Sequence, residues 1–242
     1  METPQLHHCT KYDSLCNILK SGAFWPSYCL EKSNFMHEFT EGAYAVVCFA
    51  DLLSDEVERH SANFNSDSYV IMSKEWALKN GVAPVIYYYP ETISAVAIRN
   101  WTRYCVNKKM PTSENIEETL VTNTTNLMFA YMKQYEGVYF DNKRGDFSDD
   151  RRVFYLEREW RWLPWVENGE AYYLTKDLFL NENIRKEKRQ ELINHGYTLK
   201  FTSADVIEVG IPQEKVEIFR EKFGEKYEVK NIGVKTTSNI PR

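Results

Sequence analysis

The 242-residue sequence predicts an α+β fold, a mixed sheet flanked by helices. Compact apolar runs such as Tyr44–Ala50 and Tyr69–Met72 read as buried strands. Other segments place apolar residues at i, i+3, i+4 and i+7, the spacing of one helix face. The two kinds of segment mix without the steady strand–helix–strand alternation of a parallel α/β sheet. A hydrophobic content of 43% and a charged content of 27% are ordinary for a globular chain and exclude a disordered or fibrous one.

The elements follow in order. Thr10 and Asp13 form a capping pattern ahead of Tyr12, Leu15, Cys16 and Leu19, and Gly22 closes that helix. After the strand Tyr44–Ala50, the residues Leu53, Val57 and His60 indicate a short helix with one apolar face. Tyr69–Met72 and Pro84–Tyr89 are strands around SKEWALKNG, an amphipathic helix with a glycine cap. Helical spacing then runs over Glu91–Met110 and Ser113–Glu136, with Gly137 as the stop. Val138–Asp141 is a short strand running into NKRGDFSDDRR, read as a mobile loop. Val153–Leu163 reads as one strand ending in a Pro-Trp bend, and Asn181–Asn194 as a charged surface helix. Leu199–Val209 is a strand interrupted near Ser203–Asp205. Pro212 opens a last helix bearing Val216, Phe219 and Phe223 and closed by Gly224. Nothing marks a linker, so residues 1–242 are expected to form one domain, with a C-terminal helix over 212–224 and a frayed polar tail over 230–242.

Charge and cysteine usage narrow the function. A net charge of −5 argues against a protein that coats nucleic acid. No apolar run approaches the roughly 18 residues of a membrane span. The opening Met1-Glu-Thr-Pro-Gln lacks the layout of a signal peptide, so a cytoplasmic protein without membrane partners is expected. The five cysteines, Cys9, Cys16, Cys29, Cys48 and Cys105, then read as reduced thiols. His7, His8, Cys9 and Cys16 lack the paired spacings of zinc motifs, so no metal is expected.

Three places could carry chemistry. In Leu6-His7-His8-Cys9-Thr10, His8 stands at a strand end beside a helix N-terminus, where its ring could bond a ribose hydroxyl or a backbone carbonyl. In FYLEREWRW, a strand period of two puts Tyr155, Glu157, Glu159 and Arg161 on one face. Trp160 and Trp162 then anchor the other face to the core, and the carboxylates beside an arginine form either a poised acid or a solvated ion-pair ladder. Cys48 and Asp51 close the apolar strand, where a polar side chain enters a cleft or makes a turn. An aromatic content of 14%, clustered as Tyr87-Tyr88-Tyr89 and Tyr172-Tyr173, fits a core rich in flat rings or a stacking groove.

The opening LHHCTKYDSLCNILKSGAFWPSYCLE and the run from CFADLL through SKEWALKNG to PVIYY resemble the AbiGi family. So do EREWRWLP and LKFTSADVIEVGIP, and the resemblance extends over residues 6–212. It implies a bacterial abortive phage-resistance protein, holding the antitoxin role opposite a toxin encoded by the adjacent gene. More distantly, Leu-x-His-x-Thr before a capped helix resembles the start of ADP-ribosyltransferase-like proteins, which implies that fold and NAD as cofactor. On that resemblance His8 and Thr10 hold the ribose, Cys48 or Asp51 takes the central position, and Glu159 is the late glutamate with Arg161 as its orienting partner. Cys48 and Asp51 depart from the serine or tyrosine expected there. Two functions are therefore expected: an antitoxin-side binding protein first, and an NAD-dependent ADP-ribosyltransferase acting on nucleic acid or protein second. A nucleic-acid-sensing role through the aromatic residues and the basic part of NKRGDFSDDRR is disfavoured by the acidic balance.

Overall fold

A computed structural model of the chain describes residues 3–35, 38–107, 125–141, 143–164 and 172–232. The chain divides into two compact units: Met1–Phe24, Cys48–Val82 and Leu199–Arg242 form the first, and Trp25–Val47 with Ala83–Thr198 the second. In chain order the first elements are β1 (Gln5–Thr10), α1 (Tyr12–Ser21), β2 (Ala23–Phe24), β3 (Ser27–Phe35), β4 (Glu38–Leu52), α2 (Val57–Asn63), β5 (Ser68–Met72), α3 (Lys74–Lys79), β6 (Ala83–Pro84), β7 (Ile86–Tyr88) and α4 (Ile93–Asn107). A helical segment at 125–130 (α5) follows. Then come β8 (Met132–Gln134), β9 (Glu136–Asp141), β10 (Asp146–Val153), β11 (Glu159–Trp162), β12 (Tyr173–Thr175), α6 (Lys176–Leu180), α7 (Glu182–Asn194), β13 (Leu199–Lys200), β14 (Val206–Pro212), α8 (Val216–Phe223) and β15 (Val229–Ile232). The α+β class with a mixed sheet flanked by helices is what the chain forms.

In the first unit the strands run β15-β14-β5-β1-β4. β14 and β15 are parallel, while β14–β5, β5–β1 and β1–β4 are antiparallel. Every residue of β5 is buried, as expected for an apolar strand covered on both faces. α1 buries Tyr12, Leu15, Cys16, Ile18 and Leu19, and it ends at Gly22, whose φ of 64° brings its N–H onto the Ile18 carbonyl. The start of α1 corrects the sequence reading. Thr10 is the last residue of β1, Lys11 occupies the N-cap without a side-chain bond, and Asp67 Oδ1 instead accepts from the Tyr12 N–H at 2.8 Å. A cap drawn from 55 positions away in the chain leaves no local signature.

α3 forms where the amphipathic segment predicts it, with Ser73 accepting from the Trp76 N–H at 3.2 Å, but Asn80 rather than the expected glycine stands at its C-cap. The interrupted strand at 199–209 is also as expected: β13, a 3-10 turn over Ser203–Asp205 closed by Thr202 and Asp205, then β14. The start of the polar tail is a correction. β15 pairs from Val209↔Val229 to Pro212↔Ile232, because an edge strand needs backbone partners more than apolar side chains. Residues 233–242 lie outside the described residues.

In the second unit β3 and β4 form a long antiparallel pair, from Ser27↔Val46 to Phe35↔Glu38, and β12 pairs with β4 at Gly42–Tyr44. The expected strand Tyr44–Ala50 is thus the apolar part of a 15-residue one. Tyr28, Leu30, Ala43 and Ala45 pack with Tyr172, Leu174, Phe179 and Leu192. Three readings are corrected here. NKRGDFSDDRR is not a loop: most of it forms β10, paired with β9, and Phe140 and Phe147 meet edge-to-face across the pair at 5.6 Å. The helix expected over 113–136 gives way to β8, paired parallel with β7, while its Ile116 and Leu120 lie outside the described residues. The strand expected over Val153–Leu163 is broken by a 3-10 turn at Phe154–Glu157 and by Arg158, which has φ 40°. The bend at Trp165 lies outside the described residues.

Candidate functional site

In the first unit, β1 sends neighbouring histidines to opposite faces, as a strand must. His8 donates its Nδ1–H to the Cys48 carbonyl at 2.8 Å, and its ring lies 5.0 Å from Phe24 and 5.6 Å from Phe49. A carbonyl can only accept, so Nδ1 carries the proton and Nε2 keeps its lone pair. Burial lowers the His8 pKa and outweighs the bond to Cys48, which acts in the other direction. His7 bonds the Gln5 carbonyl at 2.8 Å and meets Tyr69 edge-on at 5.3 Å, and burial lowers its pKa as well. Both rings are therefore neutral at pH 7.

The remaining first-unit candidates take structural partners. The Thr10 carbonyl accepts from Asp67 N–H at 3.2 Å. Cys48 supplies the carbonyl that fixes His8, and Asp51 pairs with Lys74 at 2.8 Å. Cys9, Cys16, Cys29 and Cys48 form no disulfide. Burial pushes the Cys9 thiol up to about 11, so at neutral pH it is a protonated, unreactive group.

Glu159 and Arg161 belong to the second unit, at the centre of a buried ion cluster. Arg161, 1% exposed, donates Nε to Glu159 Oε1 at 2.7 Å and Nη2 to Glu159 Oε2 at 3.1 Å. Its Nη1 reaches Glu31 Oε2 at 3.1 Å and the Ala130 carbonyl at 2.5 Å, and Nη2 also donates to Glu31 Oε1. Lys133 on β8 bonds Glu159 at 2.7 Å and Glu157 at 2.8 Å, and stands 3.8 Å from Glu31. The Glu159 N–H donates to the Tyr87 hydroxyl at 2.9 Å.

The charges set one another. Burial alone would raise the Glu159 carboxyl, but Arg161 and Lys133 outweigh it and hold the group below the usual carboxylate range. Burial likewise opposes the Lys133 charge, and the carboxylates of Glu157, Glu159 and Glu31 more than restore it. Among the described residues no guanidinium bonds Glu157, and burial pushes its carboxyl up despite Lys133. Three carboxylates facing two cations thus leave Glu157 as the member driven toward protonation.

This arrangement inverts the expected faces of FYLEREWRW. Glu159 and Arg161 are buried, while Trp160 and Trp162 are only half-buried. The left-handed Arg158 resets the alternation, so Glu157 and Glu159 do not belong to one regular strand face. Glu31, Lys133 and Tyr87 escape sequence reasoning because Glu31 lies 130 positions from Arg161, and Lys133 sits where helical spacing continued. Three N–H bonds already occupy the two Glu159 oxygens, and its side chain is 8% exposed.

The fold and site define an α+β protein with a mixed sheet, a pair of neutral histidines in one unit and a buried ion cluster in the other. Residues 22–212 match the family described as "Putative abortive phage resistance protein AbiGi, antitoxin". The chain belongs to the AbiGi family of abortive phage-resistance proteins. The abortive phage resistance protein AbiGi of Lactococcus lactis subsp. cremoris is 20% identical over 205 residues, which cover 76% of this chain and 80% of that relative. No solved structure matches the chain. Among the described residues, no helix is long and apolar enough to cross a membrane.

Proposed function

We propose that the protein is the antitoxin-side component of an abortive-infection system and restrains a toxin encoded by the adjacent gene. The observation that carries this reading is the family match over residues 22–212, whose description names an antitoxin. The ion cluster agrees with a binding role, since its carboxylates are spent on internal cations rather than facing a substrate. Co-expression with the adjacent gene's product tests it: the two proteins should co-purify, and growth arrested by that product should recover. Unrelieved arrest in the presence of soluble, folded protein would reject the reading.

NAD-dependent ADP-ribosyl transfer to nucleic acid or protein is the second reading, and His8 favours it. With Nδ1 fixed on the Cys48 carbonyl, Nε2 is left as an acceptor suited to a ribose hydroxyl. The pairing of Glu159 with Arg161 and Lys133 opposes it. Incubation of the folded protein with NAD is therefore expected to release no nicotinamide, and release that disappears in Glu159→Gln would establish the enzyme instead.

A further inference from the structure

The second unit carries a ladder of tyrosines that neither reading uses. Tyr89 and Tyr135 stack at 4.6 Å with an interplanar angle of 19°, and Tyr135 and Tyr155 at 5.0 Å with 13°. Tyr87 closes the inner end, edge-on to Tyr155 at 5.4 Å. Backbone structure holds the ladder in place: Tyr155 N–H bonds the Tyr135 carbonyl at 3.1 Å, and Tyr135 N–H bonds the Tyr88 carbonyl at 2.8 Å. At its outer end Tyr89 is 47% exposed, and among the described residues its second face meets no other ring. Tyr155 is 46% exposed. What sets these rings apart from the other exposed ones is their stacking into a continuous column with an open end.

The β9–β10 pair adds a second flat platform. Arg152 lies with its guanidinium 3.5 Å from the Tyr139 ring centroid, and among the described residues it makes no ion pair. Its neighbour Arg151 pairs with Glu136 at 3.1 Å, and Arg158 follows Tyr155 in the next turn. Glu91, Glu136, Asp149, Asp150 and Glu157 are acidic neighbours in sequence, so the positive charge beside the ladder is local to Arg152 rather than a basic patch.

We propose that this face binds single-stranded nucleic acid: a base continues the stack on the outer face of Tyr89, and the Arg152–Tyr139 platform takes the phosphate or a second base. Exposed aromatic faces accept any base, and an unpaired guanidinium supplies the charge that complements the backbone. The chain's acidic balance penalises a single strand less than a duplex, whose charge density is higher, and base stacking itself carries no charge.

The test is fluorescence anisotropy of labelled 12-nucleotide single-stranded DNA and RNA titrated with the full chain at low salt, with a duplex as control. Saturable binding that prefers single strands is expected. Tyr89→Ala should weaken it roughly 5- to 150-fold, the range for one base stacked on one ring, while Tyr89→Phe keeps it. Arg152→Gln should flatten the salt dependence. Absence of binding by folded protein, or binding indifferent to Tyr89→Ala and Arg152→Gln, overturns the proposal. So does an equal preference for duplex. Neither result bears on relief of a toxin, which is read by growth.

Discussion

In the first unit the titratable side chains of His7, buried, and His8, half-buried, stand apart on opposite faces of β1, each neutral and bonded to one backbone carbonyl. In the second, Glu31, Lys133, Glu157, Glu159 and Arg161 are massed together and satisfy one another. A neutral ring among aromatic neighbours forfeits little when its bond is lost. A cluster of charges is different, because each partner removed leaves the others buried and uncompensated. Polarity in the first unit is therefore a local matter, whereas in the second it joins β3, β8, β11 and the 3-10 turn into one interdependent set.

The largest break in that contrast should come from Arg161→Met. It strips two carboxylates of their guanidinium and should cost about 3–5 kcal/mol, read as a lowered denaturation midpoint in urea. A loss below about 1 kcal/mol would mean that the cluster is looser than its distances indicate. Glu159→Gln should cost less, about 1.5–3 kcal/mol, because Lys133 and Arg161 keep Glu31 and Lys133 keeps Glu157.

The first unit should respond weakly to deletion but distinctly to pH. His8→Phe keeps the ring contacts with Phe24 and Phe49 and loses one hydrogen bond, costing about 0.5–1.5 kcal/mol at pH 8. The folded pKa of His8 lies below 6.5, so its contribution is fully present above that pH and is lost as pH falls from 6.5 through the folded value. Glu159 also has a lowered folded pKa, but its contribution begins to be lost only below its unfolded value of 4.5. Glu157 has a raised one and acts with the opposite sign, losing stability as pH rises through its folded value. Between pH 8 and pH 5 the wild type should therefore lose stability relative to His8→Phe, which lacks the titrating ring. Identical slopes would remove His8 as a source. Arg151→Ala, which breaks an exposed pair at 3.1 Å, should shift stability by less than about 0.5 kcal/mol.

The same contrast explains what was legible in the sequence. Elements with local signals were readable: the apolar face of α1 and its Gly22 stop, the amphipathic segment of α3, and the break at Ser203–Asp205 between β13 and β14. Elements held by backbone pairing with few apolar side chains were not, as the polar strands β10 and β15 illustrate. His8 beside Cys48 lies within the quoted opening and strand motifs, but nothing local announces Asp67 as the acceptor at α1. Glu159 and Arg161 were visible as a pair, and their direct bond is local. Their burial was not, since it depends on Glu31 and Lys133 from distant strands and on a left-handed Arg158 that a strict period of two cannot anticipate.

Growth of cells expressing the adjacent gene's product, with and without this protein, tests the central claim most directly. The account predicts recovery with the wild type, and equally with Glu159→Gln at a temperature where that variant remains folded. Growth arrest that the wild type leaves untouched, or recovery that vanishes in folded Glu159→Gln together with nicotinamide release by the wild type, would contradict it.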